Sequence, residues 1–358
     1  MDKLTDTISN FVISGKVKEI KPLGNGLIND TFAVITENGD ENYVLQRINH
    51  DIFCNVELLQ NNVEAITNHI RHKLSEKGEQ DIDRKTLQLV KTKDGKLFYC
   101  DGENYWRVTK MIPNSKTFEE VTPELSYYTG RAFGEFQSML ADLPEPLGET
   151  IPDFHNIEFR LSQLKDAIKD DKAGRTEAMR EIIEEIEERS DDMCKVQRLF
   201  REGKFQKRTT HCDTKVNNIL FDENGNVLCV IDLDTTMPGF VLSDFGDFIR
   251  TAGNKGKEDD KDLKAVEVNM DIFKSFARGY IEATKSFLTP IEKEMLPYGA
   301  KLLTFMQTVR FLTDYINGDT YYKISFPEHN KQRTLAQFKL LRSIEEHEKE
   351  MQEFINSI

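Results

Sequence analysis

The pattern of apolar residues changes at Pro113-Asn114-Ser115, and this change limits the folds open to the chain. Before it, short alternating runs rich in β-branched and aromatic residues are separated by glycine and asparagine turns, which predicts strands. After it, apolar residues recur at helical spacing, as in Leu125–Leu143. We therefore predict an α+β protein with a small strand-rich lobe over residues 1–112 and a larger helical lobe over residues 113–358. The predicted strands are Val17–Leu23, Thr31–Thr36, Tyr43–Asn49, Thr86–Val90, Lys96–Cys100 and Tyr105–Ile112.

One helix interrupts the strand-rich part, and several helices fill the remainder. Apolar residues at helical spacing from Asn55 to Lys77 predict a helix between the third and fourth strands, and Gly78 ends it. The charged segment Asn254–Lys264 is predicted to be a mobile surface loop. The predicted helices of the second part are Leu125–Leu143, Arg175–Phe200, Asp271–Ser286, Ile291–Asn317 and Glu328–Ile358.

Composition and charge argue against several classes of protein. A formal net charge of −14 is unsuited to broad nucleic-acid binding, which needs a basic surface. The first residues contain no apolar run that would indicate a signal peptide, and no stretch approaches the roughly 18 apolar residues of a membrane span. The five cysteines are scattered and form no CxxC pair, which suits a reducing compartment. We expect a cytoplasmic, soluble protein without a membrane or nucleic-acid partner; the sequence does not indicate its oligomeric state.

The segment Thr209–Leu220 (TTHCDTKVNNIL) carries most of the chemical information. It places His211, Asp213 and Asn218 in the pattern H-x-D-x-x-x-x-N, and the strand that follows it ends in Asp232-Leu233-Asp234. Transfer of a phosphoryl group to a hydroxyl needs a carboxylate that orients the acceptor and takes its proton, and oxygen ligands that hold Mg²⁺ on the triphosphate. We therefore predict an ATP- and Mg²⁺-dependent kinase in which Asp213 is the base and Asn218 and Asp232 are the metal ligands.

Three neighbouring residues are given supporting roles. Lys215 lies two residues after the base, where a cation could neutralise charge on the transferred phosphoryl group. His211 is interpreted as a structural histidine that bonds the loop backbone, and Asp244 as a brace that accepts hydrogen bonds from the same loop. An Asp-x-Asp sequence after a strand could by itself be a turn or a calcium loop, but its combination with the preceding loop favours the kinase.

The same segment resembles the catalytic and metal loops of the aminoglycoside-phosphotransferase-like kinases, which include choline, homoserine and sugar kinases. Almost the whole chain is similar to bacterial N-acetylhexosamine 1-kinases, through GNGLINDTF, YVLQRIN, WRVTKMI, RAFGEFQ, THCDTKVNNIL, IDLDTTMPG, LSDFGD, MQTVRFLTDYINGD and FPEHN. The resemblance implies a two-lobed, protein-kinase-like fold. It also implies ATP as co-substrate and phosphorylation of the anomeric hydroxyl of N-acetylglucosamine or N-acetylgalactosamine to the sugar 1-phosphate.

A glycine-rich loop and a short connection are the candidate contacts to the nucleotide. The loop Gly24–Asp30, through Gly24 and Gly26, could cover the phosphates with backbone N–H groups. Related sugar kinases often have histidine where this chain has Leu27, which removes one possible contact. The backbone of Lys110-Met111-Ile112 is the candidate hinge for adenine, in a register that the sequence leaves open.

The cation for the α- and β-phosphates is expected on the third strand, which lacks the usual lysine. Arg47 is the candidate, and Glu64 on the following helix is its candidate acidic partner, although a solvent-facing glutamate is nearly as compatible with the pattern. Because side chains alternate along a strand, only one of Gln46 and Arg47 can face the nucleotide.

Arg310 and Tyr321 match positions that bind the sugar in the similar N-acetylhexosamine kinases. Guanidinium and phenol groups are suitable donors to sugar hydroxyls or to an acetamide oxygen. Periodicity alone favours a helix-surface salt bridge for Arg310 and a core position for Tyr321. The alternatives for function are a kinase for another small alcohol (choline, homoserine, methylthioribose or an aminoglycoside) and an inactive nucleotide-binding protein.

Overall fold

Two compact units make up the chain, for which a computed structural model describes residues 3–24, 28–37 and 41–358. The sheet unit contains the chain up to Thr117 together with two later segments, Asp142–Pro152 and Asn218–Met237. The helical unit contains Phe118–Ala141, Asp153–Asn217 and Pro238–Ile358.

An antiparallel sheet forms the centre of the sheet unit. Its order is β1-β2-β3-β6-β4, with β5 paired to β6. Alternation along the strands buries Val34, Leu45 and Val108 together on one face, where Ile8 and Phe11 pack against them. The elements of this part are α1 (Lys3–Ile8), β1 (Val17–Pro22), β2 (Asp30–Thr36), β3 (Tyr43–Ile48), α2 (Val56–Glu76), α3 (Ile82–Lys85), β4 (Leu89–Val90), β5 (Tyr99–Cys100) and β6 (Tyr105–Lys110).

The helix predicted after the third strand is present as α2. Asn55 begins it, because the Asn55 side chain accepts a hydrogen bond from the Leu58 N–H group. Leu59, Val63 and Ile66 recur at helical spacing and are buried, so that one stripe of the helix packs against the protein.

The helical unit is built around α11, which is buried over nearly its whole length. Glycines allow α4 and α9 to approach closely: a Cβ atom at Gly130 would lie 2.3 Å from the Phe276 carbonyl oxygen, and one at Gly279 would lie 2.1 Å from that of Tyr127. The elements are α4 (Pro123–Met139), α5 (Ile157–Asp170), α6 (Arg180–Met193), α7 (Lys195–Arg201), β7 (Arg208–Thr210), α8 (Val241–Ala252), α9 (Met270–Thr284), α10 (Pro290–Glu294), α11 (Leu296–Ile316) and α12 (His329–Ser357).

A hairpin lies in the last segment of the sheet unit along the chain. Its strands are β8 (Ile219–Phe221) and β9 (Val227–Val230), joined by a turn in which Asp222 accepts hydrogen bonds from the Asn224 and Asn226 N–H groups. A last short strand, β10 (Met237–Gly239), follows it.

Two predicted helices are wrong in detail. Arg175–Phe200 is not one helix but a 3₁₀ turn (Glu177–Met179) followed by α6 and α7, and the Tyr298 hydroxyl lies within hydrogen-bond distance of the Asp192 and Met193 carbonyls at the break. The segment predicted as one helix over Ile291–Asn317 is divided into α10 and α11. Pro297 at the start of α11 lacks an N–H group and suits a helix beginning.

The prediction also missed four helices, namely the short α1 and α3 and the longer α5 and α8. The predicted strands Thr86–Val90 and Lys96–Cys100 shorten to the two-residue strands β4 and β5. The α+β class, with strands first and helices after, is confirmed. Within the described part of the chain, each helix is too short or too polar to cross a membrane.

Candidate active site

The loop after β7 is fixed by a carboxylate at the start of α8. Asp244 accepts hydrogen bonds from the His211 N–H group at 2.8 Å and from the Cys212 N–H group at 2.7 Å, and the Thr214 hydroxyl donates to its carbonyl. The prediction that Asp244 accepts hydrogen bonds from this loop is confirmed. Burial raises the pKa of Asp244 above its usual value, against the opposing effect of His211 and of the two N–H donors.

The loop turns sharply just before Asp213. Cys212 adopts a left-handed conformation with φ of 64°, which is uncommon for a side chain of this type and persists only where its surroundings hold it. The turn also needs Gly239, because a Cβ atom there would lie 2.3 Å from the Thr210 hydroxyl. The neighbouring His211 is buried edge-on against Phe133 and Phe136.

His211 has the structural role that the sequence suggested. Its Nδ1 atom faces the Asp213 N–H group at 3.3 Å, so the ring supports the backbone of the loop. The result is a rigid turn that presents Asp213 at its tip.

Asp213 and Lys215 form an ion pair in this loop. Lys215 Nζ lies 2.7 Å from Asp213 Oδ1, and about a quarter of the Asp213 side chain (27%) is exposed. Burial by itself would lower the pKa of the Lys215 ammonium, but the carboxylates of Asp213 and Asp247 outweigh it, so the pKa is raised. Asp247 in turn accepts from the Thr214 N–H group and is paired with Arg250. The loop therefore combines an accessible carboxylate with a permanently charged ammonium group.

The β8–β9 hairpin brings the two predicted metal ligands to one end. Ile219 pairs with Val230, and the Ile231 N–H group donates to the Asn218 carbonyl at 2.9 Å. Asn218 and Asp232 therefore flank the open end of the hairpin. Asp232 is exposed and lies in the left-handed region, with φ of 59°.

The donor chemistry at this end suits Mg²⁺ bound together with phosphate oxygens. A carboxamide and a carboxylate are hard oxygen donors, and Mg²⁺ in kinases takes one or two protein ligands and completes its shell with phosphate and water. In the ranges that the structure describes, three His, Cys, Asp or Glu side chains do not converge to form an all-protein metal cage. Asn218 and Asp232 therefore suit a Mg²⁺ ion that is also coordinated by the nucleotide.

The sequence did not indicate a buried ion pair that involves Asp234, two residues after Asp232. Arg107 on β6 makes a two-pronged contact with Asp234, in which Nη2 lies 3.0 Å from Oδ2 and Nη1 meets the other oxygen. Both side chains are almost completely buried. Asn29 and Thr150 donate further hydrogen bonds to Asp234. The signal that could have revealed the pair is a charged residue between two apolar residues, Trp106 and Val108, in β6.

The expected pairing of Arg47 with Glu64 is wrong. Arg47 donates to Asp30 at 2.7 Å, and Glu64 pairs with Lys91 at 3.0 Å, so each has another partner. Gln46 shares its face of the sheet with Arg107, which donates to it at 2.9 Å. Arg107, rather than Arg47, is the arginine with a buried acidic partner. A role for Arg47 or Glu64 in nucleotide binding stays a prediction.

The structure positions part of the expected hinge and glycine loop. The Lys110 N–H group donates to the Gln88 carbonyl, and the Met111 N–H group donates to the Asn42 carbonyl. Of the N–H groups in the three hinge residues, that of Ile112 therefore remains the candidate contact to adenine. Gly24 has φ of 71°, a conformation open to glycine. Gly26 and Leu27 lie outside the described residues, so those predictions are untouched.

Arg310 lies in an aromatic setting in the helical unit. Its guanidinium carbon is 5.1 Å from the centre of the Phe154 ring and 5.6 Å from that of Tyr322, and its Nη1 donates to Gln307. Tyr321 is mostly exposed and its ring touches Tyr322, with ring centres 4.8 Å apart. The structure thus brings the two predicted acceptor residues together through Tyr322.

Two residues of this setting, His155 and Arg160, were not predicted from the sequence, because no motif marks them. His155 stacks on Phe154, and its Nδ1 atom is buried with no hydrogen-bond partner in the described part of the chain. Arg160 donates to the Phe154 carbonyl and to the Gln163 side chain.

The electrostatic field at this place is positive. Burial, followed by the charges of Arg310 and Arg160, lowers the pKa of His155 to about 3, while Asp213 opposes the shift. Burial and Arg310 likewise lower the pKa of Arg160 to about 10. His155 is therefore neutral at pH 7, whereas Arg160 keeps its charge. Phe154, His155, Arg160, Arg310 and Tyr322 together form a group, here called the acceptor cluster.

The fold and the catalytic loop define a small-molecule kinase. Comparison with known proteins supports this class, since a profile described as the phosphotransferase enzyme family (APH) matches residues 19–265, more than two thirds of the chain. The chain therefore belongs to the phosphotransferase enzyme family.

Solved structures show the same fold at low sequence identity. An aminoglycoside phosphotransferase from Alicyclobacillus acidocaldarius is 9% identical with a TM-score of 0.63, and the match covers 99% of this chain and 96% of that one. A choline/ethanolamine kinase family protein from Mesorhizobium loti is 14% identical with a TM-score of 0.55, covering 96% and 95%. Spectinomycin phosphotransferase APH(9)-Ia, solved with ADP and spectinomycin, is 13% identical with a TM-score of 0.56, covering 94% and 96%.

Proposed function

We propose that the protein transfers the γ-phosphoryl group of ATP to the anomeric hydroxyl of N-acetylhexosamines, N-acetylglucosamine or N-acetylgalactosamine, and releases the sugar 1-phosphate. The observation that carries this proposal is the braced loop that presents Asp213 beside Lys215. A kinase needs this combination of a fixed, accessible carboxylate and a nearby cation.

Each residue then has one task. Asp213 hydrogen-bonds the acceptor hydroxyl, orients it for in-line attack and accepts its proton. Lys215 neutralises charge that develops on the transferred group. Asn218 and Asp232 hold Mg²⁺, which neutralises the phosphate oxygens when the nucleotide is bound.

The charge of the acceptor cluster favours a neutral sugar over a cationic acceptor. The hydrogen bonds of Arg160 and Arg310 go to neutral atoms, namely the Phe154 carbonyl and the amide oxygens of Gln163 and Gln307. Two such arginines repel a quaternary ammonium or an aminoglycoside, but donate well to hydroxyl and acetamide oxygens. Choline and aminoglycosides are therefore poorer candidates, although structures with this fold include kinases named for both.

A coupled ADP-release assay over N-acetylhexosamines, plain hexoses, choline and homoserine tests the proposal. We expect the highest kcat/KM for an N-acetylhexosamine. A preference for choline or homoserine would move the protein to another acceptor class. ATP binding without turnover of any acceptor would indicate an inactive nucleotide-binding protein.

The variant Asp213→Asn tests the base. It should fold and bind ATP normally, while kcat falls by a few orders of magnitude, roughly the scale of losing general base and orientation together. The matched control is Asp222→Asn, in an exposed turn, which should keep kcat. Retention of more than about a tenth of wild-type kcat in Asp213→Asn would remove this residue from the base role.

A further inference from the structure

The loop Gly318–Tyr322, here the acceptor loop, follows α11 and carries both tyrosines next to Arg310. Its glycine has φ of 91° and Asp319 has φ of 62°, so the chain reverses sharply after the helix. Two consecutive left-handed residues do not hold a short loop in shape by themselves. The loop needs partners for its backbone N–H groups.

Asp314, near the end of α11, supplies these partners with one carboxylate. Its Oδ1 atom accepts from the Thr320 and Tyr321 N–H groups, both at 2.8 Å. Its Oδ2 atom accepts from the Tyr322 N–H group and from the Asn330 amide, both at 2.9 Å. Three successive N–H groups of the acceptor loop therefore converge on the same side chain.

Burial makes this arrangement strict. The Asp314 residue is only 4% exposed, and Asn330 is fully buried. A buried carboxylate is costly unless hydrogen bonds compensate its lost hydration. The four N–H donors provide this compensation, and in return the loop is restricted to one backbone shape.

A second connection ties the start of the acceptor loop to the helices. The Asn330 amide also donates to Asp319, which pairs with Arg175 at 2.6 Å. Arg175 donates to the Tyr315 carbonyl and stacks over the Tyr315 ring. Asn330 thus links the two carboxylates, Asp314 and Asp319, that hold the loop.

The position of Asp314 connects the loop to the acceptor cluster. Asp314 lies four residues after Arg310, so both side chains leave α11 on the same face. Tyr322, whose N–H group Asp314 binds, stacks with Arg310 and accepts a hydrogen bond from Gln307. The shape of the loop therefore determines where Tyr321 and Tyr322 stand relative to the guanidinium group.

We propose that Asp314 is a positioning residue for the acceptor: it shapes the acceptor loop so that Tyr321 and Tyr322 flank Arg310, and acceptor affinity depends on it. The proposal rests on the acceptor role proposed above for Arg310 and Tyr321. Asp314 would act through the acceptor loop and not through a contact with the acceptor or the nucleotide.

The test is Asp314→Asn, which keeps the size of the side chain but replaces one acceptor oxygen by a donor that faces N–H groups. We expect KM for N-acetylglucosamine to rise about tenfold or more, while KM for ATP changes less than twofold. Hydrogen exchange at the amides of Thr320, Tyr321 and Tyr322 should become faster in the variant. Asp314→Glu, which keeps the charge, should recover part of the affinity.

The matched control is Asp101→Asn in the sheet unit. Asp101 also holds a turn through backbone N–H groups, those of Glu103 and Asn104, but lies in a different unit. It should lose stability without any change in KM for the sugar. If Asp314→Asn fails to fold, Asp319→Asn removes only the second connection and should give a smaller rise in the same KM.

Two results would overturn the proposal. One is an unchanged KM for the sugar in Asp314→Asn when the amide exchange has become faster, which would make the loop shape irrelevant to binding. The other is an equal rise in both KM values. The proposed function is tested separately by Arg310→Ala: if Arg310→Ala raises KM and Asp314→Asn does not, only the positioning role fails. If neither changes KM, the acceptor site itself is misplaced.

Discussion

Arg107 in the sheet unit and two arginines of the helical unit, Arg160 and Arg310, have opposite kinds of hydrogen-bond partner. In the sheet unit, Arg107 is almost completely buried and meets the carboxylate of Asp234 with two nitrogens. In the helical unit, Arg160 and Arg310 are half-buried and their hydrogen bonds go to carbonyl and amide oxygens.

The difference separates structural from binding roles. A guanidinium group matched to a buried carboxylate has its charge neutralised and its planar fork occupied, so it holds the fold. A guanidinium group with neutral partners keeps both its charge and some of its five donors for a ligand. By this criterion Arg107 is part of the framework, and we propose that Arg310 and Arg160 are part of a binding site.

The largest effect is expected at Asp232 and Asp234, which follow β9. These two aspartates differ as the arginines do, since one belongs to a buried ion pair and the other is exposed. Asp234 is committed to Arg107, whereas Asp232 is exposed at the end of the hairpin. Asp232→Ala should abolish activity at ordinary Mg²⁺ concentrations because a charged ligand is lost.

Activity assays with titrated Mg²⁺, and with EDTA as the blank, check this expectation. Ca²⁺ should support turnover poorly, since it is larger and binds with less defined geometry. Equal rates in the presence and absence of EDTA would contradict the metal role of Asp232 and Asn218 together.

The next largest effect is on stability. Arg107→Met leaves the Asp234 carboxylate buried without its cation, and we expect the free energy of unfolding to fall by about 3–5 kcal/mol. The double variant Arg107→Met/Asp234→Leu removes both charges and should recover much of that loss. Chemical denaturation of the three proteins measures the difference. A loss below about 1 kcal/mol in Arg107→Met would mean that the pair is not the framework element that its burial indicates.

In contrast to Arg107→Met, Arg310→Ala should affect binding of the sugar more than folding. Loss of hydrogen bonds from a charged donor costs about 1.5–3 kcal/mol, so KM for the sugar should rise roughly ten- to a hundredfold while KM for ATP changes little. Tyr321→Phe removes only a hydroxyl and should cost less. Steady-state kinetics with each substrate varied in turn provides the measurement.

The control for Arg310→Ala is Arg131→Ala, an exposed arginine of α4 that pairs with Glu135. Neither KM should change in this control. If Arg310→Ala leaves both KM values in place and lowers only thermal stability, Arg310 merely braces α11, and the contrast with Arg107 disappears.

The sequence was informative where structure depends on local spacing. Alternation predicted β2 and β3 to within a residue or so, the apolar stripe predicted α2, and the pattern from His211 to Asp232 predicted a braced loop followed by a strand, present as β9. These features are determined by residues close together in the chain.

The contacts that the sequence could not indicate join distant residues. Arg107 and Asp234 are 127 positions apart, and Tyr298, whose hydroxyl lies within hydrogen-bond distance of the Met193 carbonyl at the break between α6 and α7, is 105 positions after Met193. His155 lies in a proline-flanked segment without a periodic pattern, and its importance arises only from the arginines that pack around it. One sequence does not specify which distant side chains meet.

The smallest predicted effect tests the positive field of the acceptor cluster through His155. The ordinary pKa of histidine is 6.5, and burial beside Arg310 and Arg160 lowers that of His155 to about 3. Between these values the unfolded chain binds a proton that the folded protein does not, so the stability present above pH 6.5 is lost as the pH falls toward 3. From pH 7 to pH 5 this single group should lower the free energy of unfolding by about 2 kcal/mol.

His155→Gln cannot take up the proton and should lose correspondingly less stability over the same interval. Urea denaturation of both proteins at the two pH values measures the difference. The control His72→Gln, at an exposed position of α2, should behave like the wild type. If His155→Gln and the wild type lose the same stability, His155 takes up a proton in the folded protein as readily as in the unfolded chain, and its buried position beside the two arginines would then not hold.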